Sequence, residues 1–472
     1  MTVPSKLVIP DQEESGPDWV RDAVFYQIFP DRFANGDPAN DPPGTVAWDS
    51  PPSRENFFGG DLQGICERLP YLEALGVNAL YLTPIFKAGT NHRYDTHDYL
   101  EVDPALGDKA VLRDLVADAH ARGIRVVLDG VFNHCGEGFW AFRDVAERGR
   151  QSPYWHWFFV RHWPLVREPP SYQTCGGAPY LPKLNTAHPD LRRYLLDVAA
   201  HWMEEVGVDG WRLDVPWKVP IDFWAEFRRI VKERKPDAYL VGEAWQAWGG
   251  LLDVFDGLMN YRLRRRLLDF CLDGSADAED LAVDTEALLA ETGSALMLNL
   301  LGSHDTPRLL TLARGDVDRT ILALTALFTF PGTPLLYYGD EHGMEGEDDP
   351  DCRRAAVWSE ERWNGRIHEA VRRLIALRHV HPALRRGSWS VELAFNRVLA
   401  YRRSAGDDEI VVVLNAGPAI RDVEISIAGS PRGAFEDGLS DVRYVRTGPR
   451  LVLPELPALS TLVLRPVGAD GR

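Results

Sequence analysis

The chain has 472 residues, roughly three domains' worth of polypeptide, so a single small binding module is excluded. Hydrophobic residues make up 45% and charged residues 26%, which is enough for a large core and leaves no compositional case for disorder. Acidic residues outnumber basic ones, 70 against 52, and the net charge of -18 repels a phosphate backbone, so nucleic acid is not an expected partner.

The opening stretch, MTVPSKLVIPDQEES, turns acidic before any apolar run of signal-peptide length, and no later stretch reaches the roughly 18 apolar residues of a membrane helix. Residues 24–29 read as a first buried strand. A loop rich in Asn, Asp, Gly and Pro follows, RFANGDPAND. The next unit turns at Gly76 into a strand at 79–83. An apolar stripe of Val111, Leu112, Leu115, Val116 and Ala119 then predicts a helix that stops at Gly123 and resumes as a strand at 125–131. Residues 135–185 are rich in aromatics and proline and read as irregular, before a helix near Pro189 and a turn at Gly207. Further strands are expected at 210–215, 239–242, 254–258, 296–301 and 334–338. After about Arg386 short alternating strands appear, with Val423, Ile425 and Ile427 in one of them.

Eight near-continuous apolar strands alternating with helices predict an α/β fold, a (β/α)8 TIM barrel with a subdomain inserted after strand 3 and a C-terminal antiparallel β-sandwich. The expected boundaries are 1–134 and 186–385 for the barrel, 135–185 for the insertion and 386–472 for the β-domain. No GxGxxG follows the first strand and no Walker A sequence occurs, so a nucleotide-binding doubly wound sheet is disfavoured. The five cysteines, Cys66, Cys135, Cys175, Cys271 and Cys352, are widely spaced with no CxxC pair, which argues against disulfides or a zinc site and for the reducing cytoplasm. The 15 Trp and 15 Tyr suit sugar faces as well as cores.

Three acids finish three apolar strands: Asp214 in GWRLDV, Glu243 in YLVGEAW and Asp305 in LNLLGSHD. Buried carboxylates are costly unless paired or functional, and three at the strand ends of one barrel point to a site. Arg212 lies two positions before Asp214, on the same side of the strand, where a guanidinium favours an ionised nucleophile. Glu243 is expected to face other carboxylates and keep its proton as a general acid, with Asp305, beside His304, stabilising positive charge. Two carboxyls about 5 Å apart across a glycosidic bond give retaining hydrolysis.

With DGVFNH at 129–134 these segments form four ordered motifs, and over nearly its whole length the chain resembles the α-amylase family, glycoside hydrolase family 13. The resemblance implies Asp214 as nucleophile, Glu243 as acid/base and Asp305 as transition-state stabiliser, with His134, Arg212 and His304 binding or orienting sugar hydroxyls. It adds Tyr94 under the scissile sugar with His92 nearby. LPKLN at 181–185 is similar to the neopullulanase, cyclomaltodextrinase and maltogenic amylase subgroup, in which Trp245 supplies a stacking platform and Asp349 and Arg353 bind glucose beyond the scissile site. Asn35, Asp37, Asn40, Asp41 and Asp61 are hard oxygen donors within or near one loop. Composition alone reads them as a polar turn. The resemblance implies a structural calcium site there, with a backbone contribution from Gly59, and no organic cofactor.

Two departures stand out. The N-terminal β-sandwich of the subgroup is absent from this sequence, so a monomer or a non-standard oligomer is expected. Lys218 occupies the position of a common glutamate or histidine that touches the leaving-group sugars, which leaves bond specificity and transfer open. The expected function is an α-glucan hydrolase acting on cyclodextrins, maltooligosaccharides, starch or pullulan. A transglycosylase or trehalose-type isomerase using the same site is the alternative, and a non-catalytic sugar-binding protein is the reading from another class.

Overall fold

The structure, a computed structural model, describes residues 16–246, 249–427, 430 and 433–467; the opening fifteen residues, on which the reading of the amino terminus rests, lie outside them. The chain forms two compact units, Phe25–Met259 with Asp348–Ala356, and Met1–Val24 with Asn260–Glu347 and Val357–Arg472.

Eight strands close a parallel barrel: β1 Phe25–Ile28, β2 Ala79–Leu82, β3 Arg125–Gly130, β4 Gly210–Leu213, β5 Tyr239–Ala244, β6 Gly257–Asn260, β7 Leu298–Leu300 and β8 Thr333–Tyr337. They neighbour one another in chain order. Every residue of these strands except Arg125 is buried, which is why they read as unbroken apolar runs with no alternation. The sixth strand begins three residues later than expected. Val254 and Phe255, which suggest a strand, are buried in the turn that follows the short helix Leu251–Asp253.

Local signals set the helix ends. Asp61 caps Leu62–Leu75 by accepting the Gly64 N–H, and Gly76, at φ 93°, ends it in the left-handed region that glycine tolerates. Asp108 caps Lys109–Ala121, and Pro189 opens Pro189–Glu205 at its first turn. Two elements go beyond the sequence reading. An antiparallel ribbon of Phe86–Ala88 and Thr96–Val102 follows β2 and carries His92 and Tyr94 between its strands. The insertion contains a helix, Trp140–Arg148, whose Phe142 packs 5.0 Å from the rings of both Phe158 and Tyr172.

The C-terminal part is one eight-stranded antiparallel sheet, ordered Ser388–Phe395, Val398–Ala405, Asp408–Asn415, Ser460–Val467, Ala434–Asp437, Arg443–Thr447, Arg450–Leu456 and Ile420–Ser426. Val398, Ala400, Val411 and Val413 from one end share a core with Val423, Ile425, Leu451 and Leu453 from the other. Strands that far apart in the order meet only if the sheet curls over itself, so two layers enclose the core as in a sandwich.

Candidate active site

Strand register builds the first cluster. Asp129 pairs with Arg212, and Arg212 with Val241, so all three side chains share one level of the barrel. Two residues further on, Asp214 and Glu243 stand side by side at the next level. Tyr81 pairs with Val127, one level below Asp129, and its hydroxyl rises to donate to Asp129 Oδ2 at 2.6 Å. The anchor for β4 is Trp211, fully buried on the opposite side of the strand from Arg212 and 6.3 Å from the ring of Phe227 in the covering helix Ile221–Arg234.

Arg212 is the hub. Its Nη1 donates to both oxygens of Asp129, at 3.0 and 2.9 Å, and to Asp214 Oδ1 at 3.1 Å, while Nη2 lies 3.0 Å from Glu243 Oε2. All four residues are less than a tenth exposed. Burial pushes the Asp129 carboxyl up, opposed by Arg212 and by the Tyr81 and Tyr94 hydroxyls. Burial pulls the Arg212 guanidinium down, but Asp129, Tyr81, Glu243 and Tyr94 outweigh it and hold it well above the usual guanidinium range.

Glu243 therefore faces the Arg212 cation and not only the other carboxylates expected around it. Its Oε2 also accepts the Val215 N–H at 3.1 Å, and its Oε1 accepts the Trp245 indole N–H at 2.6 Å. Val215 adopts φ 36° and ψ 51°, a left-handed conformation disfavoured for a β-branched residue and again for one that precedes proline. Such strain costs about 1–3 kcal/mol and persists where the surroundings over-determine it. Here the Val215 carbonyl also accepts the Lys218 N–H, and the next carbonyl, of Pro216, accepts the buried Trp224 indole at 3.0 Å.

Other anticipated residues surround this cluster. Tyr94 donates to Asp129 Oδ2 at 2.9 Å, and its N–H bonds His92 Nδ1 at 3.0 Å. Between them Arg93 sits at φ 58°, the backbone turn that presents both rings. His134 is buried and pushed down to about 3 by burial and by Lys218 and Lys183, so it is a neutral ring near neutral pH. Lys183 Nζ donates to Asn133 Oδ1 at 2.6 Å and to the Lys218 carbonyl at 2.9 Å, and a bridge pairs Lys183 with His134, tying LPKLN to the first motif. The Lys218 ammonium is exposed, 3.7 Å from Cys175 Sγ. Asp349 pairs with Arg353 at 2.9 Å, and the charges of both reach Tyr180, whose ring lies 6.2 Å from that of His92.

Asp305 and His304 belong to the other unit. Asp305 follows the C-terminal end of β7, its side chain 34% exposed, with Oδ2 3.1 Å from Nε2 of the buried His304. Its own N–H is held by the Ser303 hydroxyl at 3.3 Å.

The loop after β1 has its own order. Asp61 accepts the N–H groups of Gly36, Asp37 and Gly64 and the Asn40 amide. Asp41 accepts the Asn35 amide at 2.8 Å, and Gly59, at φ 81°, packs so closely that a Cβ there would lie 2.2 Å from Asp41 Oδ1. Burial, then the charges of Asp61, Asp31 and Asp37, push Asp41 up against that hydrogen bond. Among the described residues no group of three or more His, Cys, Asp or Glu is arranged to hold a metal. The donor set of this loop includes amides, however: Asn35 Oδ1 and Asn40 Oδ1 are buried with no hydrogen-bond partner. Unpaired buried amide oxygens in an acidic loop fit a hard cation. Asp61→Ala is expected to lower stability by about 2 kcal/mol or more, since it removes a helix cap and three further bonds. Denaturant melts measure that loss.

Asp129, Tyr81 and Val215 were not singled out as site residues from the sequence. Asp129 ends the apolar run IRVVLD and carries the same signal that selected Asp214. Tyr81 looks like core, and the Val215 backbone leaves no trace in sequence.

A family model described as "Alpha amylase, catalytic domain" matches residues 27–392. A cyclomaltodextrinase of Geobacillus thermopakistaniensis is 47% identical over 420 residues, 87% of this chain and 71% of that protein. Neopullulanase 2 of Thermoactinomyces vulgaris is 48% identical over 84% of this chain and 70% of its own length. The solved cyclic α-maltosyl-(1→6)-maltose hydrolase of Arthrobacter globiformis, in complex with that sugar, is 45% identical with a TM-score of 0.87, covering 96% of this chain and all of that one.

Proposed function

The chain belongs to the α-amylase family and is a glycoside hydrolase, and on that premise we propose that it cleaves α-glucosidic bonds of cyclodextrins, maltooligosaccharides, starch or pullulan with retention, through a glycosyl-enzyme intermediate. The observation that carries this reading is the single guanidinium of Arg212 gripping both Asp214 and Glu243 at adjacent strand ends. Asp214, held by Oδ1 to Arg212, is the nucleophile. Glu243 is pinned through Oε2, which leaves Oε1, beside the 36% exposed Trp245, as the oxygen that protonates the leaving group and then deprotonates water. Asp305 and His304 stabilise the charged transition state, Tyr94 and His92 lie under the reacting sugar, and His134 donates to its hydroxyls as a neutral ring. Lys218, Trp245, Asp349 and Arg353 contact the flanking sugars. The relatives named as cyclomaltodextrinase and neopullulanase support this substrate range.

A product-resolved time course on β-cyclodextrin, maltotriose, pullulan and trehalose tests the reading, with NMR of the first anomer formed. Maltose and glucose released initially as the α-anomer are expected. An initial β-anomer removes the retaining mechanism, and products longer than the substrate move the protein to the transfer reading.

The proposal includes calcium held by Asn35, Asp37, Asn40, Asp41, Gly59 and Asp61, which would supply charge compensation to the loop and take no part in the reaction. EDTA treatment is then expected to lower the melting temperature and added calcium to restore it. Identical melts with and without calcium would remove the ion from the account. The five cysteines are all free, in keeping with a reducing cytoplasm as the working compartment. No helix among the described residues is long and apolar enough to cross a membrane.

A further inference from the structure

Within the second unit five arginines gather at the N-terminal ends of β7 and β8, the opposite end of β7 from Asp305. Arg378 and Arg403 are fully buried, and both donate to backbone carbonyls. Arg403 donates to the carbonyls of Thr329, Ser388 and Gly387 at 2.6, 3.2 and 3.0 Å. Arg378 donates to those of Leu384, Arg21 and Gly332, and its Nε is left without a partner. Arg385 and Arg386 pair with Asp22 and Asp18, and the Arg385 Nε is likewise buried and unpartnered.

Two guanidiniums taken out of water with only carbonyls as hydrogen-bond partners, and with the Asp22 charge only partly offsetting burial at Arg378, are an expensive arrangement. The burial shows in their acidity, pushed down to about 9 at Arg378 and about 10 at Arg403, with Arg385 and Arg403 adding repulsion at Arg378. Beside them lies a cavity of about 130 Å³ whose lining includes Arg21, Arg385, Arg386 and Arg403 together with apolar groups such as Leu288 and Phe330. Each guanidinium presents five N–H groups, and Arg403 uses three nitrogens on carbonyls, so donors remain for a ligand.

We propose that this cavity binds a tetrahedral oxyanion of the sulfate or phosphate class, gripped by Arg403, Arg385 and Arg21. The planar fork of arginine matches such an anion better than a spherical halide. Occupancy stabilises the folded unit by mass action and needs nothing from the sugar site.

The test is thermal melting of the full chain against low-millimolar sulfate, with sodium chloride holding ionic strength constant. A saturable rise of about 2–4 °C is expected in the wild type. Non-specific stabilisation by sulfate does not saturate and follows exclusion from the whole surface. The same titration is run on Arg385→Gln and on Arg21→Gln, at a half-buried position chosen in case the first variant folds poorly. Loss or weakening of the saturable rise in either variant supports the site. A wild type with no rise, a rise that never saturates, or a rise of unchanged size and midpoint in both variants overturns it.

Discussion

Glu243→Gln is expected to lower kcat on β-cyclodextrin and maltooligosaccharides by about 10²–10⁴-fold, the range that general acid–base catalysis supplies. The amide keeps the shape of the side chain and can still accept the Val215 N–H at 3.1 Å and approach Arg212, so the fold is expected to survive and the loss to be chemical. Two comparisons sharpen the result. A maltosyl fluoride carries a leaving group that needs no proton, so the variant is expected to recover most of the rate of the first step on it while remaining slow to deprotonate water. Asp214→Asn is expected to be inactive on both substrates, because no activated leaving group replaces a missing nucleophile. Equal losses of the first step on both substrates in Glu243→Gln would take the acid role from this residue.

The sequence made the barrel legible because burial on both faces of each strand turns a structural requirement into an unbroken apolar run. The same physics explains the slip at β6: Val254 and Phe255 are apolar because their turn is buried, and periodicity does not separate a buried turn from a buried strand. The helix Trp140–Arg148 was hidden by its setting among prolines and aromatics, although its Phe142 and Val145 face inward at helical spacing. For the site, residue types at strand ends were enough to find Asp214, Glu243 and Arg212. Their geometry was not, because the sharing of one guanidinium among Asp129, Asp214 and Glu243 depends on register across three strands that follow one another only after long connections. The loop of Asn35 to Asp61 shows the complementary limit. Composition reveals the oxygen donors, but not that Asp61 already holds four donors while two amide oxygens stay unpaired.

Arg212→Leu is expected to produce the largest loss of stability, about 3–5 kcal/mol, because it strands three buried carboxylates at once. For a chain of 472 residues, at roughly 1 °C per kcal/mol, that is a fall of about 3–5 °C in melting temperature. The pH dependence identifies the cause. Without the cation, the buried carboxylates bind protons more tightly in the folded than in the unfolded chain, as burial already makes Asp129 do in the wild type. A folded state that holds extra protons loses stability as pH rises. The deficit relative to wild type is therefore expected to be widest near pH 7–8 and to narrow toward pH 5, where the stranded groups are neutralised. Arg212→Lys separates charge from geometry, since one ammonium restores a positive charge but does not reach Asp129, Asp214 and Glu243 together as the fork does. It is expected to regain much of the stability and little of the activity. If the Leu variant instead shows the same deficit at every pH, the contribution of Arg212 is packing, and the hub assigned to it here is wrong.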